Sequence, residues 1–191
     1  MSSEPAVIVE KEGHILVVTL NRPEKKNCVN SEVMCRLVDA WTQLDEDPEI
    51  RVAILTGRGD TFCSGMDLSE IPKLRAGKPE NDYMKRVMEN SNITMDCWLK
   101  TYRPTKPVIL AAEGFARAGG TEILQGTDIR VAGESAMFGV TEVQRGLFPS
   151  IAHPSPLLST PIATTLPPSS SPICALSFAL ARCSRLSTVP R

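Results

Sequence analysis

Two glutamates, Glu122 and Glu142, stand close to glycines in this chain of 191 residues. Glu122 lies three residues after Gly119, so on a helix its carboxylate and the Gly119 amide would share one face. Two carboxylates that converge on one water molecule can act as general base and general acid on an activated carbonyl compound. The spacing alone leaves open a simpler interpretation, in which Glu122 is a solvated glutamate after a glycine-rich turn.

A further segment, residues 62–68, could bind an anion. The chain turns there at Gly65 into an expected helix start near Asp67, where backbone amides could hold an anion or a developing oxyanion. An ordinary turn, with Asp67 as a favourable charge at the helix start, fits the same residues. Cys63 raises the alternative of a nucleophilic thiol, but no histidine is nearby in sequence to serve as its base, which favours an inert thiol.

The elements that must position these residues alternate between strand and helix. Apolar and β-branched runs predict strands at 6–10, 14–20, 52–56, 107–112 and 128–132. Helical periods and capping residues predict helices from Asn30 or Ser31 to Pro48, within 80–101, and at 119–125. The first two strands would form a hairpin across Lys11-Glu12-Gly13. This alternation indicates an α/β fold built from βα units, with ligands at loops and helix starts.

The composition argues against several classes of function. The net charge is −1, and no long block of like charge suggests a nucleic-acid site or a basic membrane face, so we expect a small-molecule or protein partner. Six cysteines and two histidines show no metal-ligand spacing, so we expect no metal site and reduced thiols. The start of the chain lacks the features of a signal peptide, which favours a cytoplasmic location.

A compositional boundary follows residue 149. All 22 aspartates and glutamates lie in residues 1–149, whereas residues 150–191 contain seven prolines and nine serines but no glycine. Such a composition is unlike that of a globular domain. We therefore expect one folded domain at 1–149, followed by a Pro/Ser-rich tail at 150–191 that is disordered or the product of a shifted reading frame.

In combination, four segments resemble the enoyl-CoA hydratase/isomerase (crotonase) family. They are Asn21-Arg22-Pro23 with Asn27-Cys28-Val29-Asn30, Phe62 to Leu68, Gly114 to Glu122, and Phe138 to Gly146. They occur in the order and at the spacing of the family, over residues 6–149. The resemblance implies a crotonase-like α/β spiral of ββα units, with 1–149 as the catalytic core. It also implies that the C-terminal helical region of the family is missing or replaced, which would weaken the trimer or hexamer expected of the family.

The same resemblance implies a substrate and a site. The carbonyl oxygen of an acyl-CoA thioester would accept hydrogen bonds from the amides of Met66 and Gly119, which would form an oxyanion hole. One of Glu122 and Glu142 would position a water molecule and the other would exchange its proton, as in a hydratase acting on a 2-enoyl-CoA. No cofactor is implied beyond the CoA of the substrate. CoA contacts are implied for Cys28, Ser64, Gly65, Asp67 and Leu68. The charges of Lys25 and Lys26 could attract the phosphates, although two solvated lysines in a loop fit the same residues.

Three residues depart from the family pattern. Arg117 and Ala118 stand where the family often has an aliphatic residue and a glycine, and Thr141 stands where many hydratases have a proline that would fix the backbone before Glu142. Many isomerases of the family retain only one of the two glutamates, so the pair favours hydration. An acyl-CoA isomerase, and a truncated inactive protein that binds CoA or a partner, remain the alternatives.

Overall fold

The computed structural model describes residues 4–142, 146 and 163–166. In chain order its strands are β1 (Val7–Glu12), β2 (Ile15–Leu20), β3 (Val52–Gly57), β4 (Thr61–Cys63), β5 (Val108–Ala112), β6 (Phe115–Arg117), β7 (Ile129–Gly133), β8 (Met137–Gly139) and β9 (Ala163–Leu166). They form a six-stranded sheet in the order β1-β2-β3-β5-β7-β9 and a three-stranded sheet in the order β4-β6-β8. The α/β class expected from the sequence is confirmed.

The hairpin expected at the start of the domain is present. β1 and β2 are antiparallel, with Val7 opposite Leu20 at one end and Glu12 opposite Ile15 at the other. Gly13 in the connecting turn has φ +59, a conformation that glycine adopts without steric cost. β1 runs two residues further than the sequence predicts because the pairing with β2 continues to the turn.

Three strand pairs follow the hairpin, and each places one strand in each sheet. β3, β5 and β7 lie in the larger sheet, while β4, β6 and β8 follow them in the smaller one. Neighbouring strands within each of these sets are parallel. This repetition of two strands is the ββα spiral that the family resemblance implied. Because β4, β6 and β8 have three residues each, they are too short to show a strand period in sequence.

The first long helix agrees with the prediction. α1 (Ser31–Glu46) begins after Asn30, whose side chain accepts a hydrogen bond from the Val33 amide at 3.0 Å. This capping bond satisfies one of the backbone donors that a helix start leaves without a partner. Trp41 and Leu44 lie on the face of α1 that is fully buried in the core.

The other helices are shorter than the sequence predicts. They are α2 (Ile71–Arg75), α3 (Asp82–Glu89), α4 (Ile93–Asp96) and α5 (Gly119–Glu122), with 3₁₀ turns at Pro23–Lys25 and Ile123–Gly126. The helix expected within 80–101 is interrupted at Asn90, whose backbone is extended and whose side chain accepts a hydrogen bond from the Asn92 amide.

The helix start expected near Asp67 is displaced to Ile71. The Asp67 amide donates to the Val29 carbonyl at 2.8 Å, and its side chain accepts from the Ser69 amide at 3.2 Å. Asp67 therefore stabilises the turn before the helix rather than the helix itself.

Several expectations concern what the chain lacks. No described helix is both long and apolar enough to cross a membrane. Residues 4–142 and the other described positions contain no group of three or more potential metal ligands. The four cysteines in that part of the chain are free thiols.

The tail expected at 150–191 lies outside the described residues except for β9, which pairs in parallel with β7 at the edge of the larger sheet. The division at residue 149 therefore stays a prediction.

Candidate active site

The loop after β4 presents the Met66 amide away from its neighbouring segment. Val29 and Met66 form an isolated parallel bridge, in which the Val29 amide donates to the Gly65 carbonyl and the Asp67 amide donates to Val29, each at 2.8 Å. In a parallel bridge of this kind, the N–H of Met66 points away from the segment that contains Val29. Within the described residues the Met66 amide donates no hydrogen bond to the protein, so it is available to a ligand.

The Gly119 amide lies beside this loop. A Cβ atom on Gly65 would be 3.4 Å from the Gly119 nitrogen and 2.9 Å from the Cβ of Ala118. Gly119 begins α5, where backbone amides have no partner within the helix. Among the described residues the Gly119 amide, like that of Met66, donates no hydrogen bond to the protein. The two predicted oxyanion donors therefore belong to adjacent loops and both remain available.

The indole ring of Trp98 packs against Gly119 from the other side. A Cβ atom on Gly119 would lie 2.7 Å from the Cη2 atom of Trp98, a distance that van der Waals contacts do not allow. Trp98 is itself 1% exposed. Gly119 is therefore required here by packing as well as by the amide that it presents.

Glu122 lies at the end of α5 and is 2% exposed. The helix is held by neighbouring elements: the Gly139 amide donates to the Thr121 hydroxyl at 2.9 Å, and the Ala118 amide donates to the Gly139 carbonyl at 2.9 Å. Gly120 packs so closely on β4 that a Cβ atom there would lie 2.4 Å from the Cys63 carbonyl oxygen. These contacts fix the short helix that carries Glu122.

Glu142 follows the end of β8, which is the strand next to β6 in the smaller sheet. Since β6 and β8 are parallel, α5 and Glu142 leave the sheet at the same edge. The Oε2 atom of Glu142 is buried and has no hydrogen-bond partner among the described residues. An inward-facing carboxylate oxygen of this kind is available to a water molecule or a substrate.

The segments expected to contact CoA are held together by Arg22. Its guanidinium donates to the Cys28 carbonyl at 2.7 Å and to a carboxylate oxygen of Asp67 at 3.1 Å. Ser64 joins the same loops, because its amide donates to the Lys26 carbonyl at 3.0 Å. Leu68 is 48% exposed, in the same loop as Asp67. The structure thus brings together Cys28, Ser64, Gly65, Asp67 and Leu68.

The charges of this region are partly offset within the protein. Burial disfavours the ionised form of Asp67, but hydrogen bonds from Ser69 and Arg22 outweigh it and leave the pKa of Asp67 lowered. Lys25 and Lys26 are both exposed, and the Lys26 ammonium donates to Asp60 at 3.1 Å. Of the two lysines expected near the phosphates, Lys26 therefore already has an anionic partner.

The buried thiol of Cys63 is not suited to nucleophilic catalysis. It is 1% exposed, and burial raises the pKa of Cys63 to about 12. A reactive cysteine needs a thiolate at neutral pH. The structure therefore agrees with the interpretation of Cys63 as an inert thiol. Cys28 is likewise held in its neutral form, because burial raises the pKa of Cys28 to about 11.

Two residues of the site were missed by sequence reasoning. Trp98, which contributes only to a helical period in the sequence, forms the wall behind Gly119. Lys100 donates a hydrogen bond to the carbonyl oxygen of Glu122 at 2.9 Å. No local pattern singles out this lysine, since its partner lies 22 residues further along the chain. Arg117, which departs from the family pattern, is exposed and covers the ring of Phe115 at 4.5 Å.

Comparison with known proteins places this geometry in a family. The family model for enoyl-CoA hydratase/isomerase matches residues 10–158, which extends past the compositional boundary after residue 149. Enoyl-CoA hydratase EchA19 of Mycobacterium tuberculosis is 50% identical over 149 residues, covering 78% of this chain and 54% of that protein. The short-chain-enoyl-CoA hydratase of Clostridium acetobutylicum is 36% identical, covering 75% of this chain and 52% of that protein.

Solved structures agree with these sequence relatives. The crystal structure of an enoyl-CoA hydratase from M. tuberculosis is 32% identical, with a TM-score of 0.71 over 96% of this chain and 76% of that one. EchA1_1 from Mycobacterium paratuberculosis is 29% identical, with a TM-score of 0.75 over 98% and 78% of the two chains. The chain spans about half the length of the curated relatives it matches. The family resemblance and the crotonase-like fold are thus confirmed, and the chain belongs to the enoyl-CoA hydratase/isomerase family.

Proposed function

We propose that this chain carries the active site of an enoyl-CoA hydratase, which adds water across the double bond of a 2-enoyl-CoA thioester. The observation that carries the proposal is the juxtaposition of two available amides, those of Met66 and Gly119. Glu122 and Glu142 follow neighbouring parallel strands at the same edge of the smaller sheet. Relatives named as enoyl-CoA hydratases support this reaction.

In the proposed reaction the two amides bind the carbonyl oxygen of the thioester. Hydroxide from water forms a bond to C3, the electrons of the double bond move toward the carbonyl, and an enolate results. The two amides stabilise this negative charge, and each donor of this kind contributes about 3–4 kcal/mol to the transition state. A proton then reaches C2, so that the overall change is the addition of one water molecule.

The two glutamates handle the protons of that reaction. One carboxylate positions the attacking water and accepts its proton, while the other group exchanges the proton delivered to C2. The buried Oε2 atom of Glu142 and the buried side chain of Glu122 are suited to this role, because both are shielded from bulk water. Apart from the CoA of the substrate, the proposal requires no cofactor.

The proposal extends to the surroundings of the site. Acyl-CoA is the proposed ligand, with the CoA lying along Cys28, Ser64, Gly65, Asp67 and Leu68. Since the described cysteines are free thiols, as cytoplasmic conditions maintain them, a cytoplasmic location is part of the proposal. The trimer or hexamer expected from the family remains a prediction.

The test is the loss of the conjugated enoyl thioester absorbance when the purified protein meets a short 2-enoyl-CoA. We expect turnover, and a decrease of about 100-fold or more in kcat for Glu122→Gln and for Glu142→Gln, because each removes a proton-transfer group. The substitutions change one atom each, so circular dichroism should report an unchanged fold.

Normal hydration by Glu142→Gln would contradict the assignment of that residue. A folded wild-type protein that shifts the double bond of a 3-enoyl-CoA but does not hydrate a 2-enoyl-CoA would favour the isomerase alternative. A folded protein that binds CoA without turnover of either compound would favour the inactive binding protein.

A further inference from the structure

Residues 98–100, between α4 and β5, make three successive contacts with the catalytic helix region at 119–126. Trp98 packs on Gly119, and a Cβ atom on Gly126 would lie 2.4 Å from the Cβ of Leu99. The third contact is the Lys100 ammonium against the end of α5. Leu99 has φ +58, the left-handed conformation, which is costly for a residue with a side chain. The segment therefore keeps a strained backbone while all three residues face the helix.

The contact of Lys100 is made by hydrogen bonds from a half-buried ammonium group. Its Nζ atom donates to the backbone carbonyl of Glu122 at 2.9 Å and to the side-chain oxygen of Gln125 at 2.7 Å. The last carbonyls of a helix lack partners within the helix. Lys100 supplies such a partner at the residue that carries the proposed catalytic carboxylate, and it ties that residue to the following 3₁₀ turn.

The charge of Lys100 is also coupled to the charge of Glu122. Burial lowers the pKa of Lys100 to about 8, the negative charge of Glu122 acts in the opposite direction, and the positive charge of Arg103 acts with burial. Coulombic coupling is reciprocal, so the ammonium that Glu122 stabilises also favours the ionised form of Glu122. This matters because Glu122 is 2% exposed and burial disfavours a charged carboxylate. The carboxylate of Glu142, at the same edge of the smaller sheet, acts in the same direction as burial, whereas the Lys100 ammonium acts against both.

We propose that Lys100 is a positioning residue for the hydration reaction: its ammonium holds the end of α5 and places a positive charge 2.9 Å from the carbonyl oxygen of the residue that carries the catalytic carboxylate. The inference rests on the proposed function, and within it on Glu122 as the carboxylate that accepts the proton of the attacking water, because that role requires the ionised form. In this role Lys100 does not touch the substrate and acts only through Glu122.

The first test compares pH profiles of kcat/KM for wild type, Lys100→Met and Lys100→Arg. Lys100→Met should lower kcat about 10-fold at neutral pH with little change in KM, and should move the acid limb of the profile to higher pH. Lys100→Arg keeps the positive charge and should restore the wild-type position of the acid limb. Lys85→Met is the matched control, since Lys85 is an exposed lysine on α3, and its profile should be unchanged.

A purely structural role for Lys100 would give a different result. In that case Lys100→Met would lower kcat by the same factor at every pH, without moving the acid limb, and the proposal would be overturned. If Lys100→Met does not fold, Lys100→Gln serves instead, because its amide can still donate hydrogen bonds but carries no charge.

The second test does not depend on activity. Carboxyl ¹³C resonances of labelled glutamate are followed against pH, with Glu122→Gln identifying the Glu122 signal. The midpoint of the Glu122 titration should lie about one pH unit higher in the Lys100 variant than in wild type. An unchanged midpoint overturns the inference about Lys100. A shifted midpoint in a protein that does not hydrate 2-enoyl-CoA would retain the coupling of Lys100 to Glu122 and would remove the proposed function.

Discussion

Two glycines, Gly65 and Gly119, allow the close packing of the backbone around the proposed oxyanion hole. Gly65 has φ +96, and a Cβ atom there would lie 2.9 Å from the Cβ of Ala118. Gly119 meets the ring of Trp98 on its other side. Because Gly65 has no side chain, the loop that carries Met66 packs directly against the start of α5, where a Cβ atom on Gly65 would lie 3.4 Å from the Gly119 nitrogen. The availability of both donors is therefore a consequence of close backbone packing.

Replacement of Gly119 by alanine tests this relation. The added Cβ would meet Trp98 at 2.7 Å, so the backbone must shift and the amide must move with it. We expect hydration to fall about 100-fold, the loss typical of one missing oxyanion donor. Overpacking should also lower the free energy of unfolding by about 1–3 kcal/mol. The absorbance assay and thermal unfolding measure the two effects.

Gly139→Ala is the control for this substitution. It adds a methyl group at the end of the neighbouring strand, 3.7 Å from a Thr141 carbon, an ordinary contact. Its rate should remain within a few-fold of wild type. Equal rates for Gly119→Ala and wild type would contradict the assignment of the Gly119 amide.

At the scale of elements, the fold depends on the passage of the chain from one sheet to the other between β5 and β6. Gly114 lies there with φ +60, and a Cβ atom would stand 1.8 Å from the carbonyl oxygen of Asp60. The Gly114 carbonyl accepts from the Met137 amide at 2.8 Å, and its amide donates to the Ser135 hydroxyl at 3.1 Å. This crossing thus joins β4, β6 and β8 at one glycine.

Gly114→Ala should therefore destabilise the whole domain. The methyl group would collide with rigid backbone, so we expect a decrease of about 3 kcal/mol in the free energy of unfolding, at the upper end for overpacked sites. Gly13→Ala is the matched control, because Gly13 has φ +59 but no heavy atom within 4 Å of the added carbon.

The control should show only the backbone cost of the left-handed conformation, about 1–2 kcal/mol. Urea unfolding followed by circular dichroism measures both variants. Equal destabilisation of Gly114→Ala and Gly13→Ala would mean that the close approach to Asp60 does not constrain the crossing.

Over the whole molecule, carboxylates favour the folded state when they are ionised. Hydrogen bonds from Arg58 and Lys26 lower the pKa values of their exposed partners Glu4 and Asp60. A hydrogen bond from Lys11 does the same for Asp47, which is partly exposed. The pKa values of two partly buried aspartates, Asp45 and Asp67, are also lowered. Burial opposes the ionisation of Asp45 and Asp67, but hydrogen bonds from Tyr102 and Thr105, and from Ser69 and Arg22, outweigh it and lower their pKa values.

Acidification should therefore unfold the protein. A carboxyl group whose folded pKa is lowered adds stability that is present above its unfolded pKa, near 4, and is lost as the pH falls through the folded value. We expect the free energy of unfolding to decrease steadily below about pH 4. Urea unfolding at a series of pH values measures this dependence.

Added salt and substitution distinguish the contribution of the surface ion pairs from that of the partly buried Asp45 and Asp67. About 1 M salt should remove most of the contribution of the exposed pairs, because screening is strong at that concentration. A variant with Asp45→Asn and Asp67→Asn should be less stable at pH 7 and should show a shallower decrease below pH 4. An unchanged acid dependence in this variant would contradict the role of these two aspartates.

The sequence by itself determined the features that depend on neighbouring residues. The hairpin, the capped start of α1 at Asn30 and the strands of the larger sheet up to β7 all lie where apolar periods, caps and glycines predict them. The family motifs also predicted Met66, Gly119, Glu122 and Glu142 as site residues, since their order and spacing are visible without a structure. About the site, the sequence therefore predicted its residues and its reaction, and both stay predictions.

Only the tertiary structure decided how these residues are supported. The smaller sheet consists of three-residue strands that carry no period and exist because they pair with one another. The contacts of Trp98 with Gly119 and of Lys100 with Glu122 join segments about twenty residues apart. Such contacts depend on the path of the chain through both sheets, and no local pattern encodes that path. For this reason the environment of Glu122 became visible only in the folded molecule.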